Sequence, residues 1–324
     1  MGFSDARGSR GKSSPGIYFA PRPIPPSFLG TIMPLTHTTT FRARFYECDA
    51  YGHLNHATYL RYMQEAAFDA SAAAGYDMDY YEQVAQQWLI RETKITYLQP
   101  VLHQQSLDVT TWVGDFRRVR SRRMYEMRLA GTARVMAQGY TDWVYVDSRT
   151  FRPVMVPEEM MRTFLPEGGT AQGDKREAFP RPPAPPSGVF TLRQRVLWRD
   201  LDPARHVNNA NYVAFTEDAG IQILYARNWS IDRMTAAGFG IVAREYHIEY
   251  LLPAVLNDQL EIATWLSDVR RATAVRHYTI TRVGDGVLLA RARALWVWVD
   301  LQTGMPIRIP ADFAADFAGN IATT

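Results

Sequence analysis

The chain has 324 residues, 47% of them hydrophobic and 21% charged, which supplies a packed core and excludes a disordered polymer. Its net charge of +3 arises from 36 basic against 33 acidic residues, too balanced and dispersed for binding to nucleic acid or another polyanion. The single cysteine, Cys48, rules out an intramolecular disulfide, and no apolar run approaches the roughly 18 residues that span a bilayer, so a cytoplasmic setting off the membrane is expected.

Residues 1–38 carry Pro21, Pro23, Pro25 and Pro26 without a continuous apolar stretch, which reads as a flexible leader rather than a signal peptide; Met33 offers a second start just ahead of the first strand-like run. Beyond it the chain repeats itself. At a shift of 153, His53 falls on His206, Asn55 on Asn208, Tyr59 on Tyr212, Arg91-Glu92 on Arg244-Glu245, and Trp143-Val144 on Trp296-Val297. From Arg42 to Pro153 there are 31 identities in 112 gap-free positions, where chance would give about 7, so the chain is a duplication. Two domains follow, at residues 39–165 and 189–324, joined by a Pro/Gly-rich linker at 166–188.

In chain order, the first copy opens with a strand at Thr39–Tyr46 and a polar loop, then a helix from Tyr59 to about Ala74, where β-branched residues are few. Strands rich in Val, Ile, Thr, Trp and Tyr follow at Trp88–Tyr97, Ser106–Gly114, Arg123–Leu129 and Arg134–Asp147. The second copy repeats the order: a strand at Thr191–Leu197, a helix from Tyr212 to about Arg227, and strands at Ile241–Tyr250, Gln259–Ser267, Arg276–Arg282 and Val287–Asp300. One long helix followed by antiparallel strands implies an α+β fold with the helix laid across the sheet. A cluster at Arg117, Arg118, Arg120, Arg122 and Arg123 reads first as a solvated hairpin edge and second as a landing site for the phosphates of a coenzyme A or carrier-protein arm.

The loops ahead of the helices carry the chemistry. Copy one reads Asp49-Ala50-Tyr51-Gly52-His53-Leu54-Asn55-His56-Ala57-Thr58-Tyr59, and copy two Asp202-Pro203-Ala204-Arg205-His206-Val207-Asn208-Asn209-Ala210-Asn211-Tyr212. A carboxylate, an imidazole and an amide within seven residues at the mouth of a helix supply a base, a proton carrier and an orienting group. The structural alternatives are Asp49 and Asp202 as turn formers, His53 and His206 as loop hydrogen-bonders, Asn55 and Asn208 as helix caps, and Tyr59 and Tyr212 as core aromatics. The tryptophans at 112, 143, 265 and 296 read as core. Copy two has Leu201 in place of Cys48, which argues against a catalytic thiol. No zinc cluster, phosphate loop or dinucleotide fingerprint is present, and no cofactor is expected.

The Asp-x-x-Gly-His-x-Asn-His-Ala-x-Tyr stretch of copy one resembles the signature of the 4-hydroxybenzoyl-CoA thioesterase-like hotdog family. Trp198-Arg199-Asp200-Leu201-Asp202 and His206-Val207-Asn208-Asn209 resemble the second hotdog of plant acyl-carrier-protein thioesterases. The resemblance covers Phe41 to about Phe313. It implies a double hotdog with helices on one face of a continuous sheet, an intramolecular pseudo-dimer with higher association left open, and clefts completed across the repeats. It also implies Asp49 and Asp202 as nucleophile or general base toward an acyl-CoA or acyl-carrier-protein thioester, with backbone N–H groups stabilising the oxyanion. Copy two departs from the plant pattern at Ala204, where asparagine is expected, and at Pro253, where glutamate is expected. Some hotdog thioesterases carry an active carboxylate on the helix, which makes Glu65 and Asp218 secondary candidates. The rival readings are a hotdog hydratase or dehydratase with histidine as base, and an acyl-thioester binding protein without turnover.

Overall fold

A computed structural model describes residues 34–166 and 176–322. Copy one contains β1 (Thr36–Arg42), α1 (His56–Ala73), α2 (Met78–Gln83), β2 (Gln86–Tyr97), β3 (Ser106–Arg117), β4 (Arg120–Leu129), β5 (Val135–Asp147) and α3 (Glu158–Phe164). Copy two contains β6 (Phe190–Arg195), α4 (Asn209–Ala226), α5 (Ile231–Ala236), β7 (Phe239–Tyr250), β8 (Gln259–Ser267), β9 (Thr273–Arg282), β10 (Leu288–Asp300) and α6 (Ala311–Asp316). The long helices begin three residues before the expected tyrosines, because Asn55 and Asn208 cap them and accept from the amides of Ala57 and Ala210. Each helix stops at a left-handed residue, Gly75 or Asn228. The short helices were not foreseen, since single turns carry too little periodicity to register. Strand β1 starts at Thr36, inside the segment read as leader, because its backbone pairs with β3 from Thr36↔Trp112 onward.

All ten strands join one antiparallel sheet in the order β1-β3-β4-β5-β2-β7-β10-β9-β8-β6. The two halves of that order mirror each other, as a pseudo-twofold axis between equivalent repeats requires. The axis passes through the β2–β7 seam: Lys94 pairs with His247, its own equivalent at a shift of 153, and Glu92↔Glu249 and Thr96↔Glu245 flank it symmetrically. Like charges directly opposite each other repel, so the seam brings cations to them. His247 Nε2 lies 2.8 Å from Glu92 Oε1, Lys94 Nζ 3.2 Å from Glu245, and Arg291 Nε 2.6 Å from Glu249. Arginines also cross between repeats to backbone carbonyls: Arg91 donates to Tyr250 O and Leu251 O, and Arg244 to Tyr97 O.

α1 and α4 pack together on one face. Small residues, Ala57, Ala66, Ala67 and Ala70 on α1 and Ala210 and Ala219 on α4, let the helices approach the sheet, and the two repeats share a core that includes Met63, Tyr125, Tyr246 and Tyr278. The opposite face is polar, and there the second part of the linker lies against the sheet. The Phe179 ring packs at a tilt 4.6 Å from His247, and Arg176 pairs with Asp115. The basic cluster is not a single surface, because strand alternation divides it. Arg122 makes a bidentate 2.7 Å pair with Asp142, Arg117 sits 3.8 Å from Asp115, and Arg123 turns to the helix side and is buried. Among the described residues no helix is long and apolar enough to cross a membrane.

Candidate active site

The loop before α1 is folded by its own aspartate. Asp49 Oδ1 accepts from the amides of Tyr51 (2.9 Å) and His53 (3.0 Å), while Asp49 N donates to His53 O at 2.7 Å. The turn needs a left-handed residue, and Gly52 supplies it at φ +77°. Copy two folds the same turn with Arg205 at φ +62°, a conformation that strains a residue with a Cβ. There Asp202 Oδ1 accepts from Ala204 N at 3.0 Å. Pinning one oxygen leaves Asp49 Oδ2 unpaired among the described residues, on a half-buried carboxylate that lines a cavity.

That cavity, about 440 Å3, runs from Asp49, His53 and His56 past Glu217 and Asp218 to Leu224, Met234, Leu266, Arg276 and Trp298. Its mouth belongs to copy one and its depth to copy two. A second cavity of about 200 Å3 inverts this, with Asp202, Pro203 and Asn209 at its mouth and Phe68, Tyr81, Trp88, Arg123 and Phe164 inside. The difference in size follows from side chains. Tyr81 and Trp88 fill the positions that Met234 and Ile241 hold more sparingly in the other repeat.

The chemistry also differs between the two mouths. In the larger one, Asn55 Nδ2 donates to Glu217 Oε2 at 2.8 Å across 162 residues, and His56 Nδ1 lies 3.6 Å from Glu217 Oε1. Burial raises the pKa of Glu217, but the nearby His56 ring and the bond from Asn55 outweigh it and hold the carboxyl below its ordinary range. The His56 ring packs against Tyr97, Tyr246 and Trp296, with the Trp296 ring edge-on at 5.8 Å. In the smaller cavity the equivalents are neutral, Gln64 for Glu217 and Asn209 for His56, and Asn208 Nδ2 donates to Gln64 Oε1 at 3.2 Å.

The residues singled out from sequence separate accordingly. Asp49, His53 and Asn55 meet at one mouth; burial lowers the pKa of His53, favouring the neutral ring. Asp202 lines the second cavity, whereas His206 packs at a tilt 5.8 Å from Phe151 and is not part of its wall. Burial raises the pKa of Asp202. Asn55 and Asn208 cap their helices and, with the same amide groups, reach the opposite repeat. Asp218 is exposed at the rim of the larger cavity, and Glu65 is exposed and outside the wall of the smaller one. The helix carboxylate that faces inward is Glu217, one residue earlier than the sequence candidate; the neighbouring acid gave no means of choosing, because the crossing of α1 and α4 decides which face meets the other loop. His56, part of the quoted motif, was not singled out. Trp296, read as core, lines the cleft against His56. Tyr212 OH accepts from Ala254 N at 2.8 Å, and Tyr59 is bonded equivalently at Val101. Cys48 donates weakly to Arg44 O at 3.5 Å, and burial, then Asp49 and Glu47, raise its pKa, opposite to what a thiolate nucleophile needs.

Comparison with known proteins locates this geometry in a wider group. The sequence profile of the thioesterase-like superfamily matches residues 43–164 and 196–317, one match per repeat. The acyl-CoA thioester hydrolase YbgC of Escherichia coli O6:H1 is 33% identical over 129 residues, covering 40% of this chain and 96% of that protein. The long-chain acyl-CoA thioesterase FadM of Escherichia coli K12 is 34% identical over 106 residues, 32% of this chain and 77% of its own. The solved 12:0-ACP thioesterase from Umbellularia californica superposes with a TM-score of 0.64 at 19% identity, over 81% of this chain and 93% of that one, and shares the tandem hotdog fold.

Proposed function

Because the chain belongs to the thioesterase-like superfamily, we propose that its larger cleft hydrolyses acyl-CoA thioesters, with Asp49 acting on the carbonyl. Membership makes the chain a thioester hydrolase; the acyl-CoA substrate is carried over from relatives that each match the length of one repeat. The observation that carries the reading is the half-buried Asp49 carboxylate, one oxygen held by two amides and the other unpaired among the described residues, at the mouth of an apolar cavity of acyl-chain size.

Asp49 serves as nucleophile or as general base for water. Among the described residues nothing accepts from the amide of His56 in the first turn of α1, so that N–H, at the positive end of the helix dipole, is available to the carbonyl oxygen as it gains charge. When the C–S bond breaks, thiolate leaves, and His56, paired with Glu217, is placed to carry the proton it takes up. The smaller cleft, with Gln64, Asn209 and strained Arg205, lacks the charged pair and is assigned no turnover.

Thiol release from acyl-CoA and acyl-carrier-protein substrates tests this. Asp49→Asn should lower kcat/KM by about 10²- to 10⁴-fold, as removal of a general base does, while Asp202→Asn should stay near wild type. Equal losses in the two single variants would refute assignment to one cleft, and no release from any thioester would refute hydrolysis. Single turnover in ¹⁸O-water, followed by mass analysis of the Asp49 peptide, identifies Asp49 as nucleophile if the label enters it.

A further inference from the structure

The deep end of the larger cavity holds a charge with no counterion among the described residues. Arg276, on β9, is 6% exposed and sits beside its cross-strand neighbour Leu266 in an end of the cavity that includes Leu224 and Trp298. Its guanidinium has five N–H donors to place. Nη1 makes only two long contacts to neutral groups, Thr264 Oγ1 at 3.3 Å and Asn320 Oδ1 at 3.5 Å, and the Phe317 ring is 5.9 Å away. Among the described residues no carboxylate stands within ion-pairing distance. The acidic groups of the cavity, Asp49, Glu217 and Asp218, come from the motif loop and from the middle of α4, and Glu217 is engaged by Asn55 and His56. From Glu217 to Leu224 the helix climbs about 10 Å. Trp298, itself 2% exposed, lines the same end of the cavity.

Burying a cation without an opposing charge is strongly unfavourable, and a leucine or methionine would fill the site at no such penalty. Yet the arrangement occurs twice. Arg123, the equivalent of Arg276 on β4, is buried in the smaller cavity, with no hydrogen-bond acceptor among the described residues and only the Phe164 ring at 5.3 Å. Burial lowers the pKa of both arginines, as it must when no anion offsets it. Arginine remains charged at neutral pH even so. A buried donor set that asks for an anion, at the end of an apolar passage that starts at the reacting carboxylate, describes a receptor for the far end of the acyl group.

We propose that the larger cavity selects acyl thioesters whose chain ends in a carboxylate, with Arg276 as the counterion of that terminal group. This rests on the reading of the Asp49 cleft as the hydrolytic one. Arg276 is here a specificity residue: it touches the remote end of the substrate and takes no part in bond breaking.

The test compares two thioesters of equal chain length across a ladder of lengths, decanoyl-CoA and the mono-CoA thioester of decanedioic acid among them, by thiol release. Calorimetric binding of the non-hydrolysable 2-oxoalkyl thioether analogues of both accompanies it. Wild type should favour the carboxylate-ended compound about 10- to 100-fold in kcat/KM and in affinity at the length that reaches Arg276, the range of a hydrogen bond to a charged group. Arg276→Met, which keeps volume and removes charge, should abolish the preference, and Arg276→Lys should keep part of it. Equal rates and equal affinities for the two compounds at every length would overturn the inference, as would absence of binding by either analogue. Tighter binding of the carboxylate-ended analogue without any thioester cleavage would leave it standing and remove the hydrolytic reading instead. If Arg276→Met does not fold, the wild-type ratio decides alone.

Discussion

Glu217→Gln is the sharpest test of why the two clefts differ, since it gives the larger cleft the residue that the smaller one carries at Gln64. The substitution keeps size and an acceptor oxygen for Asn55 Nδ2, now 2.8 Å away, but replaces a charge-assisted bond with a neutral one and removes the anion facing His56 at 3.6 Å. A bond to a charged group is worth about 1.5–3 kcal/mol against 0.5–1.5 for a neutral one, so the loss is about 1–2 kcal/mol, or roughly 5- to 30-fold. In the proposed scheme the pair acts on the proton of the leaving thiol, so the loss should fall on kcat with KM little changed. The pH dependence has a defined sign. Glu217 has a pKa depressed below its ordinary value, so its contribution is fully present above the usual carboxylate range and is lost as pH falls through the lowered value. In the Gln variant that portion of the acid limb should vanish. Steady-state kinetics from pH 4 to 9 on wild type and variant would decide it. A variant with wild-type kcat and an unchanged acid limb would refute the pairing of Glu217 with His56 as a functional element.

Other consequences are independent of catalysis. Arg205→Gly should stabilise the protein by about 1 kcal/mol by relieving a left-handed residue, and Gly52→Ala should cost about 1–2 kcal/mol at the equivalent turn; urea midpoints measure both, and a destabilised Arg205→Gly would show that its side chain holds the loop. His277, buried on the polar face with Ser267 Oγ at 2.8 Å, has its pKa lowered to about 4, by burial first and then by Arg293. Its folded value lies below the unfolded one of about 6.5, so stability is full above that pH and is lost as pH falls from about 6.5 to 4, by roughly 3 kcal/mol. His277→Gln should flatten the decline in thermal midpoint over that window, and an unchanged slope would count against the assignment.

Much of the architecture is legible in the chain because a duplication is a local fact. A constant shift of 153 without gaps identifies two equivalent units, and equivalent units pair about a twofold axis. The β2–β7 seam, with Lys94 opposite His247, is the physical expression of that shift. Strand and helix periods were likewise readable, because alternation and capping are properties of neighbouring residues; Asn55 and Asn208, offered as caps, do precede the helices, although the starts were read three residues late at Tyr59 and Tyr212. The motif loops too can be found by inspection, since Asp49 and Gly52 fold a turn out of their own backbone.

What lay beyond the sequence is everything that depends on which face of one repeat meets the other. Gln64 and Glu65, or Glu217 and Asp218, differ by about 100° around a helix, and only the packing of α1 against α4 turns Glu217 toward Asn55 and leaves Asp218 at the rim. Arginines 122 and 123 looked alike in a basic run; the pleat sends one to an aspartate on the polar face and the other, like Arg276, into a cavity where no described residue is its counterion. The inequality of the clefts arises in the same way, from Tyr81 and Trp88 filling one depth while Met234 and Ile241 leave the other open. Periodicity places a residue on its own element, whereas a site made across two repeats is decided by the contact between elements far apart in the chain.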